Sequence, residues 1–177
     1  MNAYEYAMEM EKEGESFYRE LADKSTDIGI KNIFLNLANE EVKHYELFKR
    51  LAQEEGDASV PKMNVMKDAK AIFAEMKASG RDLDFGHDQV VLYQKALESE
   101  KKAYNLYVKK ADEVTDAKHK EIFLRIAAEE KKHLELLENL VDFVDSPMNW
   151  LESAEFYNMG KDRKSTRWTP VTWPSRM

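Results

Sequence analysis

The stretches IFLNLANEEVKHYEL (residues 33–47) and IFLRIAAEEKKHLEL (residues 122–136) lie 89 residues apart in a chain of 177. The same shift lays AMEMEKEGESFY (7–18) on ALESEKKAYNLY (96–107) without a gap. From Tyr4 to Leu51, 22 of 48 positions are identical to their counterparts. Shared helical composition does not produce that level of identity, so the chain is an internal duplication. Each copy is rich in Ala, Leu, Glu and Lys, all good helix formers.

Breaks in the helical pattern are few. KSTDIGI (24–30) and EVTDA (113–117) divide each copy into two helices, and Thr26 or Asp27 is placed to cap the second helix of the first copy. The expected elements are helical hairpins at 2–54 and 88–144, with each helix about 35–40 Å long. The connection 56–87 is too long for a turn between adjacent helices and suits a crossover along a bundle. Within it, Met66, Ala69, Ile72, Phe73 and Met76 mark one face of a short helix ending at Gly80. Ser146-Pro147 opens a short C-terminal helix through about Met159. The expected fold is therefore all-α: a four-helix bundle of two duplicated hairpins spanning 1–160, followed by an extended tail at 161–177.

Each helix carries an apolar stripe at alternating spacings of three and four, and each stripe is interrupted at the same level. The first has Glu11 between Ala7 and Gly14, and the third has Glu100 between Ala96 and Ala103. The second and fourth carry Glu41-x-x-His44 and Glu130-x-x-His133. Burying four facing carboxylates costs several kcal/mol each, about what relaxation leaves of the desolvation penalty, and they also repel. No Lys or Arg lies on the stripes at that level, so bound metal is the economical explanation. One Glu from each of two helices plus Glu-x-x-His from each of the others is the pattern of di-iron and di-manganese carboxylate bundles. Two divalent ions would balance the four carboxylate charges. The expected ligands are Glu11, Glu41, His44, Glu100, Glu130 and His133. Glu9, Glu15, Glu40, Glu98 and Glu129 fall off the stripes and are expected to be solvated. His87 and His119 are read as ordinary residues. Tyr18 and Tyr107 lie on the stripes two turns beyond the ligands Glu11 and Glu100, and a buried phenol needs a hydrogen-bond partner, for which a site carboxylate is nearest.

Composition narrows the classes further. With no cysteine, the sequence holds no disulfide, iron–sulfur cluster or thiol nucleophile. Thirty-four acidic against 27 basic residues give a charge of −7, which disfavours nucleic acid as the partner. Nothing approaches 18 consecutive apolar residues, and no secretory signal opens the chain, so a cytoplasmic protein without a membrane anchor is expected. The charge is uneven: residues 161–177 hold five basic residues and one acidic, a net +4 against −11 for the rest. A homodimer is the expected assembly, and this basic, tryptophan-bearing tail reads either as an arm that wraps a neighbouring subunit or as a disordered terminus.

The paired E-x6-Y and E-E-x-x-H motifs, together with the duplication, resemble the ferritin-like superfamily and, within it, the rubrerythrin-related proteins over roughly Met1 to Val144. The resemblance implies a di-iron site held by the six residues above, with Glu41 and Glu130 bridging and Tyr18 and Tyr107 as site tyrosines that donate protons. It implies two iron ions as cofactor, with manganese or zinc not separable on ligand type alone. Two departures stand out. Where the family has a further ligand Glu three residues after Glu100, this chain has Ala103. These 177 residues also hold none of the four cysteines of the family's rubredoxin-like domain, so electrons are expected from a separate donor such as a rubredoxin-like protein. The expected activity is reduction of hydrogen peroxide or dioxygen in oxidative-stress or iron metabolism. The alternatives are a ferroxidase or iron-handling protein, and an interaction module with a structural metal.

Overall fold

The computed structural model describes residues 3–53, 59–61, 64–80, 83 and 85–152. Its helices are α1 (Ala3–Lys24), α2 (Ile28–Ala52), α3 (Val65–Ala78), α4 (His87–Glu113), α5 (Ala117–Asp145) and α6 (Pro147–Glu152), with no strand among the described residues. The all-α bundle expected from the sequence is what is found. The tail at 161–177, the continuation of α6 towards Met159 and parts of the crossover lie outside the described residues.

The duplicated turns are closed by the same chemistry. Asp27 accepts from the amides of Gly29 and Ile30 at 2.7 and 3.2 Å, and Asp116 accepts from the His119 amide at 2.9 Å. Asp27, not Thr26, is thus the cap of α2. Asp27→Ala is expected to cost about 1 kcal/mol, the usual loss for an N-cap aspartate, read from urea unfolding of the metal-free protein. At the same turn Gly29 lets α3 approach: a Cβ there would lie 2.8 Å from Met76 Sδ and 3.0 Å from Ile72 Cγ2.

Helices α1 and α2 pack along one another, as do α4 and α5, while α3 lies across α2 and α5. The apolar core is split in two. One cluster joins Leu21, Phe34, Leu37, Tyr93, Leu137 and Leu140 to the inner faces of α3 and α6 through Phe73, Phe143 and Trp150. The other groups Ala7, Leu47, Phe48, Tyr107, Phe123 and Ile126 towards the opposite end. Between them lies the layer of ionisable side chains that interrupts the four stripes. The two apolar clusters keep bulk water from that layer, and the low dielectric so created governs its chemistry.

Candidate metal centre

The six side chains expected as ligands come together in that layer, every one of them buried: Glu11, Glu41, His44, Glu100, Glu130 and His133. They form two overlapping groups. Glu11, Glu41, His44 and Glu130 offer ligand atoms all within 4.8 Å of one another, and so do Glu41, Glu100, Glu130 and His133. Glu41 and Glu130 belong to both groups.

The duplication appears as a pseudo-two-fold relation in the distances. His44 Nδ1 is 3.0 Å from Glu130 Oε1, 3.4 Å from Glu11 Oε2 and 3.7 Å from Glu41 Oε2. His133 Nδ1 is 3.2 Å from Glu41 Oε1, 3.4 Å from Glu130 Oε2 and 3.9 Å from Glu100 Oε1. The two rings lie 5.8 Å apart, centroid to centroid.

Tyr18 and Tyr107 complete the layer by reaching across the bundle. Tyr18 on α1 donates to Glu100 Oε1 on α4, and Tyr107 on α4 donates to Glu11 Oε1 on α1. Burial and then the neighbouring carboxylates raise both phenols well above their ordinary range. They therefore stay protonated, and each fixes one oxygen of a carboxyl whose other oxygen faces the histidines or lies unpartnered.

The protonation states follow from the same low dielectric. Burial, reinforced by the adjacent carboxylates, lifts Glu11 and Glu100 well above the usual carboxyl range. Burial also opposes charge on the histidines, but Glu11 and Glu130 at His44, and Glu130, Glu40 and Glu41 at His133, overcome it and raise both imidazoles. Burial works against ionisation of Glu41 as well; the close polar groups of Glu11 and both histidines outweigh it and leave that carboxyl low. At Glu130, burial and Glu41 push up, and the two histidines prevail and hold it down. Without metal the six clustered side chains thus set two carboxylates against two imidazoliums and keep two carboxylic acids neutral, with the Glu40 carboxylate beside His133 as a further negative charge. Two divalent cations replacing four protons would preserve that balance.

The donor set fits such cations on a second count. Glu41 Oε1, Glu100 Oε2, Glu130 Oε1, His44 Nδ1 and His133 Nδ1 are buried without a hydrogen-bond partner. Unsatisfied buried polar atoms are costly, and these five converge. A cavity of about 410 Å³ opens beside them between α1 and α4, bordered by Gly14 and Ala103, with Lys95 and Glu98 towards its mouth. Ala103, where the resemblance leads one to expect a further ligand, is a cavity wall. A Cβ on Gly14 would meet Glu41 Cγ at 3.5 Å, so these two small residues, each three positions beyond a ligand, form a thin wall over the site.

One expectation needs correction. Glu40 is not solvated; it is 4 % exposed, and its Oε2 lies 3.0 Å from His133 Nε2. Its stripe position pointed outwards, but α3 covers that side of α2, which no periodicity within α2 reveals. Glu9 and Glu98 are exposed as expected, and Glu15 and Glu129 are partly exposed. His119 sits half-buried with its ring edge against Tyr4, 5.4 Å between centroids.

Comparison with curated proteins and with solved structures gives no match. The rubrerythrin family model matches residues 2–141. That span takes in the first hairpin, the second up to the last turn of α5, all six clustered side chains and both tyrosines, and the chain belongs to the rubrerythrin family.

Proposed function

We propose that the protein is a non-haem di-iron oxidoreductase that reduces hydrogen peroxide or dioxygen. The observation that carries this reading is the pair of overlapping buried ligand groups sharing Glu41 and Glu130, because two ions held by common carboxylates can deliver two electrons to one small molecule. Two ferrous ions held there would supply the electrons that take hydrogen peroxide, with two protons, to two waters. Glu11, Glu41 and His44 would hold one ion, Glu100, Glu130 and His133 the other, with Glu41 and Glu130 between them. Manganese or zinc would fit the same donors.

The chain's own groups do the remaining work. The cavity between α1 and α4 admits a small molecule to the carboxylate face. Tyr107 borders it with its phenolic proton retained and donated to Glu11 Oε1, so that its oxygen lone pair faces an incoming hydroxyl while the proton holds Glu11 in place. Tyr18 holds Glu100 in place from the far side. Electrons come from a donor outside these residues, which hold no cysteine. Among the described residues no helix is long and apolar enough to cross a membrane.

The metal-free protein loaded anaerobically with two ferrous ions per chain, then mixed with peroxide or air in a stopped-flow cell, tests this. Peroxide is expected to oxidise both ions at one equivalent per chain, faster than air does. Oxidation no faster with peroxide than with air would exclude the peroxidase reading. Continued oxidation and retention of added iron would assign iron storage in its place.

A further inference from the structure

The pseudo-two-fold relation fails at one pair of residues. The 89-residue shift lays Glu40 on Glu129 and His44 on His133, yet only Glu40 reaches a histidine. Its Oε2 is 3.0 Å from His133 Nε2, and its Oε1 accepts from the amides of Asn64 and Val65 at 3.0 and 3.1 Å. Glu129 is partly exposed, and both of its oxygens take Lys132 Nζ at 2.8 Å. His44 Nε2 is buried and has no hydrogen-bond partner among the described residues. The physical origin is topological: a single crossover helix, α3, runs over α2 and α5 and brings its N-terminus to Glu40. Among the described residues the second copy brings no such helix to Glu129.

Glu40 serves two purposes with one carboxylate. Asn64 makes no side-chain cap at the start of α3, and Glu40 supplies the missing acceptor from another helix. Because Oε1 receives two N–H groups and a carboxylate only accepts, His133 must donate from Nε2 to Oε2. In the neutral imidazole that binding a cation requires, the proton stays on Nε2 and the Nδ1 lone pair is the one on the side of Glu41, Glu100 and Glu130. Among the described residues nothing locks the tautomer or ring orientation of His44 in the same way.

We propose that Glu40 is a positioning residue that makes the two metal positions unequal and links one of them to α3. The position bounded by Glu41, Glu100, Glu130 and His133 binds a divalent cation more tightly and fills first. Its occupancy is transmitted through Glu40 to the amides of Asn64 and Val65. This rests on the two groups being metal sites and is independent of which reaction they support.

Zinc alone, added stepwise to the full chain against a chromophoric chelator, tests the proposal, with Glu40→Gln and Glu129→Gln compared with the wild type. Wild type is expected to bind two zinc ions in steps at least about 10-fold apart, in the range that outer-shell partners contribute. Nitrogen-15 correlation spectra of the zinc form should show His133 with its proton on Nε2. In Glu40→Gln, the carboxamide oxygen keeps the two backbone amides and its NH2 opposes His133 Nε2, so the tighter step should weaken about 10–100-fold with the weaker step unchanged. Glu129→Gln should change neither step. Hydrogen exchange at Asn64 and Val65 should slow with the first zinc in wild type and be indifferent to zinc in Glu40→Gln. Two equal steps in wild type, equal weakening of both steps, or identical behaviour of the two variants would overturn the proposal. The wild-type steps, tautomer and exchange rates decide it even if Glu40→Gln fails to fold. Failure to bind zinc or iron would remove the metal centre itself, whereas unequal steps without peroxide reduction would remove only the oxidoreductase reading.

Discussion

Stripping metal from the protein is expected to lower its melting temperature by about 15–30 °C at pH 7.5–8, and by much less near pH 5. At free metal near 1,000 times the dissociation constant, each position contributes about 4 kcal/mol, or about 8 kcal/mol for two; a chain of this size melts about 2–4 °C lower per kcal/mol lost. The pH dependence has a definite sign. In the metal-free fold Glu11 and Glu100 titrate above their ordinary 4.5, and His44 and His133 above their ordinary 6.5. Groups with raised values stabilise the fold fully below the unfolded value and lose that contribution as pH rises through the folded one. All four therefore make the metal-free protein less stable from mildly acidic pH upward. Glu40, Glu41 and Glu130 lie below 4.5, so their contribution is present above that value and disappears as pH falls further. The metal-free protein should be most stable around pH 5. Metal loading runs the other way, since each cation displaces protons from an acid and an imidazole, and about four protons should be released per chain when both positions fill. Scanning calorimetry of both forms from pH 5 to 8, with proton release followed by indicator dye in weak buffer, measures both effects. Equal melting of the two forms at neutral pH, or a metal-free protein that gains stability from pH 5 to 8, would contradict the buried site.

The duplication, the four long helices and the six clustered side chains were legible in the sequence because each is a local or periodic signal. A glutamate on an apolar stripe is anomalous wherever the bundle closes, and four such anomalies at one level can be placed without coordinates. The phenols of Tyr18 and Tyr107 needed a partner, but periodicity does not say which. Only the packing of α1 against α4 shows that each takes the other helix's carboxyl. The periodicity that sends Glu40 to solvent fails for a related reason. Its environment is made by the N-terminus of α3, some 24 residues away in sequence, and by a histidine from the other copy. The cavity is also absent from any pattern, since Gly14 and Ala103 are unremarkable helix residues until both are seen to wall the same space. Side chains that answer to their own helix can be read from spacing, and those that answer to a crossover cannot.

Glu41→Gln and Glu11→Gln make the same chemical change on one face of the layer, and their consequences should diverge. Glu41 belongs to both ligand groups, with Oε1 3.2 Å from His133 Nδ1 and Oε2 3.7 Å from His44 Nδ1. Replacing it removes the shared carboxylate, and neither position should retain metal through dialysis. It also removes one of the anions facing two buried imidazoliums, and breaking such a pair from one side costs about 3–5 kcal/mol. The metal-free variant should therefore be less stable than wild type by an amount of that order. Glu11 belongs to one group only and is already neutral in the metal-free fold, where Tyr107 donates to its Oε1. A carboxamide can accept the same hydrogen bond and carries the same lack of charge. Glu11→Gln should leave the metal-free protein within about 1 kcal/mol of wild type, the size of one neutral hydrogen bond, and should bind one ion in place of two. The duplication extends the contrast: Glu130→Gln should behave as Glu41→Gln does, and Glu100→Gln as Glu11→Gln does. Metal content after dialysis, with urea unfolding of the metal-free forms, separates the two classes. Retention of one tightly held ion by Glu41→Gln, or loss of both by Glu11→Gln, would mean that the shared carboxylates are not the ones that join the two positions.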